Sequence, residues 1–215
     1  LTPPAPDSMI RPMKIDARAV FTRSIELMVN PLNTWETIRR ENDPGRELAM
    51  QLVGLLAAVA CGCMFLGNLI FGNGFWYSFI YSVLLLGVLV GSVFFQGWLI
   101  NSSAPSFATI RNEDGALRLV AYSSIPVWIF GIASLVPYLL APAIAAGFGY
   151  SAYVFYRGCT FIMDTPRERA LPFSVFFAAS WFFVVLVAAL VLSRIVAIIF
   201  APVLVAQHFS VPPAG

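Results

Sequence analysis

His208, Cys61, Cys63, Cys159 and a scatter of serines are the side chains of this 215-residue chain best suited to nucleophilic or metal chemistry. Their spacing serves neither. A metal site needs clustered His, Cys or carboxylates, yet His208 is the only histidine and falls in the C-terminal tail. Cys61-Gly62-Cys63 has the spacing of neither a zinc ligand pair nor a CxxC redox motif, so the three cysteines read as small apolar packing groups. A serine nucleophile needs a base. Ser123, Ser124, Ser134, Ser151, Ser174, Ser180 and Ser193 have no His or Lys in the apolar runs that carry them. Those runs also lack Asp and Glu, the intramembrane carboxylates that proton-coupled pumps use. Phosphate-loop, dinucleotide, zincin and serine-elbow patterns are missing. The expectation is a non-catalytic protein with no metal or organic cofactor.

Polar groups do gather in two neighbouring apolar runs. Tyr122, Ser123, Ser124, Pro126 and Ser134 mark the first; Tyr150, Ser151, Tyr153, Tyr156 and Thr160 mark the second. Pro126 removes a backbone donor and frees a carbonyl near Tyr122, which a hydroxyl or a neighbouring helix can satisfy. Two uses follow: hydrogen bonds between packed helices, or a lipid or small-molecule cavity beside the kink. Tyr122, Pro126 and Tyr150, with Trp35, Arg157 and Arg194, form the candidate set of lipid or partner contacts.

These residues are positioned by membrane spans. The chain is 59% hydrophobic and 11% charged, against about 25% charged in a soluble domain. A helical crossing takes about 20 apolar residues, and five such runs are predicted, at about 49–71, 75–100, 119–138, 142–162 and 171–193. The fold class is therefore all-α and polytopic. Gly72-Asn73-Gly74 turns the first two into a hairpin. Pro137 and Pro142 divide the third from the fourth. Apolar sequence persists past Arg194 to Ala206, as a helix extension or interfacial segment. Around the 49–206 membrane domain lie a flexible Pro-rich leader over 1–15, with Met9 a candidate start, a cytosolic arm over 16–48, and an external tail over 207–215.

Twelve of the thirteen Lys and Arg residues fall on one side of this threading. The positive-inside rule makes that side cytoplasmic, N-terminus included, and puts the C-terminus outside. Arg194 is the exception, near the outer end of the fifth span. It either snorkels to the headgroups or contacts an anion or lipid phosphate.

In the arm, Phe21, Ile25 and Met28 make one apolar stripe at helical spacing. Asn33 and Glu36 are spaced as a capping box before Trp35 and Ile38. The simplest placement is an amphipathic interfacial helix on the inner leaflet. A docking surface for a soluble partner and a helix folded under the bundle are the alternatives. Gly54, Ala58 and Gly62 in the first span, and Gly87 and Gly91 in the second, have the spacing of close helix contacts, within the hairpin or between two copies. Expected partners are membrane lipids, other membrane proteins or a second copy; the small net charge of +2 gives no reason to expect nucleic acid.

Several segments together resemble the Yip/Yif family, the Ypt/Rab GTPase-interacting membrane proteins, in its bacterial branch. They are Asn30-Pro31-Leu32-Asn33-Thr34-Trp35-Glu36-Thr37-Ile38 before the first span, Ala121-Tyr122-Ser123-Ser124-Ile125-Pro126 opening the third, and Gly149-Tyr150-Ser151 through Tyr156-Arg157-Gly158 with Thr165-Pro166-Arg167. The resemblance implies five spans and a cytosolic N-terminal segment. Eukaryotic members are implicated in vesicle traffic and Rab binding. This chain lacks the Asp-Leu-Tyr-Gly-Pro type of segment and has a short arm, so a Rab-like GTPase is not an expected partner. The functional expectation is a scaffold, accessory subunit or membrane-organising protein in a bacterial inner membrane. The alternative is a small-molecule or lipid transporter with a site between the third and fourth spans.

Overall fold

The computed structural model describes residues 17–41, 45–72 and 74–209, and their side chains except at 17–20, 41, 48, 137 and 201–209. The leader and residues 210–215 of the tail lie outside the described residues. Every regular element among those described is helical. Five helical stretches are long and apolar enough to cross a membrane: Gly45–Ile70, Phe75–Phe107, Glu113–Leu135, Tyr138–Ile162 and Arg167–Phe200.

Two short helices, α1 (Ala17–Val29) and α2 (Pro31–Glu41), precede the spans. The first span begins as α3 (Gly45–Leu48), passes through a π-helical turn over Ala49–Val53 and continues as α4 (Gly54–Ile70). Gly72, at φ +90°, makes the turn into α5 (Phe75–Ser103), a conformation open to a residue without a Cβ. The expected hairpin is therefore present.

The third span is broken into α6 (Glu113–Ser123), α7 (Ile125–Gly131) and a 3-10 turn over Ile132–Leu135. Asn112 caps α6, its side-chain oxygen accepting from the Gly115 amide at 3.0 Å, and Glu113 and Asp114 face the positive end of the helix dipole. Pro126 sits in the first turn of α7, so the kink lies where sequence placed it. Ser124 closes it. Its hydroxyl donates to the Ala121 carbonyl at 2.6 Å and accepts from Trp128 Nε1 at 2.9 Å.

The fourth span, α8 (Pro137–Ile162), starts five residues earlier than expected. Pro137 occupies its first turn, where a missing N–H is harmless. Pro142 lies inside the helix rather than before it, and deprives only the exposed end of the helix of a donor. The fifth span is part of one long helix, α9 (Arg167–Phe209), so the excess apolar sequence is helix extension.

The third span is the axis of the bundle. Buried residues make up 78% of its most apolar stretch, against 11–28% for the other four, so its neighbours wrap it. Ser134 ties it to the first span, donating to the Ala60 carbonyl at 3.4 Å. Stacked rings join the fifth span to its neighbours: Phe155 of the fourth lies on Phe177 with centroids 4.2 Å apart, and Phe107 at the end of the second lies on Phe173 at 4.7 Å. Such offset aromatic pairs add to the area they bury.

The predicted small-residue stripes do not pack the hairpin. A Cβ built on Gly54, Gly62, Gly87 or Gly91 meets nothing within 4 Å, and Ala58 is exposed. The close approaches occur elsewhere, at Gly67, Gly97 and Gly158 among others. At Gly67 a Cβ would strike the Ser134 carbonyl at 2.6 Å. At Gly158 it would run into the Trp35 ring.

Candidate functional site: the arm against the third and fourth spans

Trp35 organises the arm end of the molecule. Pro31 opens α2 at its first helical position, where its missing N–H costs nothing. The helix therefore starts before Asn33, which is not the N-cap. Glu36 instead pairs with Arg40 at 2.6 Å, one turn on. This start points Thr34, Trp35 and Ile38 inward, and all three are buried. The Trp35 ring lies over Gly158, edge-on to Tyr122 with centroids 5.8 Å apart. Its Nε1 donates to the Val154 carbonyl at 3.2 Å. A buried indole needs such an acceptor.

The two tyrosines hold the same arm. Arg23 Nη1 donates to the Tyr122 hydroxyl at 3.3 Å. The Tyr150 hydroxyl donates to the Met28 carbonyl. Tyr122 is 1% exposed and Pro126 is buried. Arg157 stands on the same helix as Val154 and Gly158, half-buried, its Nε enclosed and without a hydrogen-bond partner. At the surface, Arg39 meets Asp164 at 3.3 Å, an exposed pair of small energetic weight.

Five of the six candidate contacts thus lie at the arm end or in the spans behind it, and Trp35 and Tyr122 touch. Arg194 stands apart, exposed on the far part of α9. The arm is docked rather than simply laid on a surface, and its docking face is not the predicted stripe. Ser24, Leu27 and Pro31 turn inward; of the stripe, Phe21 and Ile25 remain 59% and 44% exposed and Met28 is half-buried, while Val29 beside it is 80% exposed. Between α1 and α2 runs a groove of about 390 Å³ lined by Arg23, Glu26, Asn30, Asn33 and Thr37 among others.

Sequence reasoning missed Gln96. This fully buried amide of α5 donates to the Phe177 carbonyl at 3.2 Å and to the Ser180 hydroxyl at 2.7 Å, tying the second span to the fifth. A lone amide amid apolar residues was the available signal, because lipid offers it no partner. Thr109 and Thr165, whose hydroxyls meet at 3.0 Å, join two loops at the arm end without comparable warning. The cysteines are free thiols, Cys61 and Cys159 buried and Cys63 half-buried.

Comparison with known proteins finds relatives described as inner membrane proteins. Over 160 residues the chain is 24% identical to the inner membrane protein YohC of Escherichia coli K12, covering 69% of this chain and 82% of that protein. YohC of an O6:H1 strain of E. coli matches to the same extent. No solved structure matches. The Yip1 domain matches residues 25–189, taking in most of the arm, the first four spans and much of the fifth, and on that match this chain belongs to the Yip1 domain family.

Proposed function

We propose that this protein is a non-catalytic organiser of a bacterial inner membrane, a scaffold or accessory subunit that presents its arm to a membrane-protein partner. The inner-membrane placement follows the relative's description. A cytoplasmic arm follows from the twelve basic residues on its side.

One observation carries the reading. The arm is fixed to the bundle by Trp35 and the two tyrosines, yet Phe21, Ile25 and Val29 project from it. An apolar row held on a rigid support favours docking, because little ordering entropy is left to lose. The transport alternative needs an open site at Tyr122 and Pro126. Both are buried, and the Tyr122 hydroxyl is engaged by Arg23, which favours the organiser.

Native mass spectrometry after gentle extraction from the source membrane tests this, on the wild type and on the Ile25→Glu, Val29→Glu double variant. A protein companion at fixed stoichiometry, lost in the variant, is the expected result. A lone monomer in both samples would sink the proposal.

A further inference from the structure

At the other end of the molecule, α5 and α9 run antiparallel and touch at two levels. Tyr77 meets Phe200 with ring centroids 5.4 Å apart, and Gln96 bonds to Ser180 at 2.7 Å. Between these contacts the seam opens into a groove of about 520 Å³, lined by Leu84, Val88 and Phe95 of α5 and by Phe183, Val187 and Ile195 of α9, among other apolar residues. From residue 183 to 195 the helix rises about 18 Å. One leaflet of hydrocarbon is about 15 Å deep.

A charge stands at the outer end of this groove. Arg194 is the only charged residue between Leu48 and Ile110 or between Ala170 and Ala206, so neither α4, α5 nor the rest of the crossing part of α9 supplies a carboxylate for it. It is exposed and follows Leu192, a lining residue, by two positions. Phe200 is level with Tyr77 near the outer start of α5, so Arg194 stands about 9 Å inward of that level, a depth from which a long arginine side chain snorkels to the headgroups.

We propose that the α5/α9 groove is a binding site for one phospholipid of the leaflet opposite the arm, with an acyl chain lying along the groove and an anionic phosphate on Arg194. Length, apolar lining and charge all match that occupant. A second copy of the chain matches less well. Inserted in the same orientation, it would bring its own Arg194 to the same depth with no carboxylate beside it, and like charges repel. The site is independent of whether the arm holds a partner.

The test is native mass spectrometry of the full-length protein, delipidated in detergent and titrated with palmitoyl-oleoyl phosphatidylglycerol or phosphatidylcholine. Wild type is expected to take up one phosphatidylglycerol per chain in preference to phosphatidylcholine. Arg194→Gln should cut that preference about fivefold, the factor one arginine contributes against anionic lipid. Ala188→Trp, which fills the groove from a lining position, should abolish uptake of both lipids while the thermal melt stays unchanged. Equal uptake of the two lipids by wild type, or uptake untouched by Ala188→Trp, would overturn the site. So would a lipid-free dimer that Ala188→Trp disperses, which would give the groove to a second copy.

Discussion

The third and fifth spans are opposites in composition and in place. The fifth is the most apolar, with mean hydropathy 2.9, and only 11% of that stretch is buried. The third has mean hydropathy 1.5 and is 78% buried. In water the more apolar helix would be the inner one. Here lipid is the solvent, so apolarity no longer selects the inside, and packing and hydrogen bonding do. The broken helix with hydroxyls and a proline sits at the centre because only neighbouring protein can satisfy its freed backbone groups.

That contrast predicts an order of mutational effects, readable by SDS titration in mixed micelles. Trp35→Ala should be the most damaging, at about 3–5 kcal/mol for a large buried ring, since Trp35 closes the arm over the third and fourth spans. Gly158→Ala comes next. Its methyl would press into the Trp35 ring and Leu119, costing about 1–3 kcal/mol by overpacking. Gln96→Leu should cost about 0.6–1.7 kcal/mol, the range of hydrogen bonds between membrane helices. Arg39→Ala should cost less than about 1 kcal/mol, its pair with Asp164 being exposed. Phe183→Leu, on the lipid face of the fifth span, should stay within about 0.5 kcal/mol. If Phe183→Leu proved as costly as Trp35→Ala, the division between a packed axis and a lipid-facing wall would fail.

The same physics explains what could be read from sequence. Span number, the Gly72 turn and the Pro126 kink were legible because apolar length and backbone punctuation follow local rules. Which face of each span turns inward was not. The Gly54–Ala58–Gly62 and Gly87–Gly91 rows carry the spacing of an interface but face outward, and spacing names no partner. Periodicity did find the Phe21–Ile25–Met28 stripe. The face that docks is the one beside it, selected by Leu27 and Trp35, for which the fourth span supplies a glycine and a carbonyl acceptor. Of the candidate site, the aromatic members were recognisable by type; Arg23 was not, because its partner lies 99 residues away.

Sequence distance has one more consequence, for the order in which the protein is made. Trp35 and its acceptor at Val154 are 119 residues apart. At a ribosomal speed of about 5–20 residues per second, the indole waits roughly 6–24 s for the carbonyl that will receive it. During that interval three spans enter the bilayer while the arm has no fourth span to dock on. Its inward face is then open to chaperones or early partners that the finished protein would turn away. Crosslinking from position 35 in stalled nascent chains should capture neighbours before residue 154 emerges, and lose them soon after the fourth span is in place.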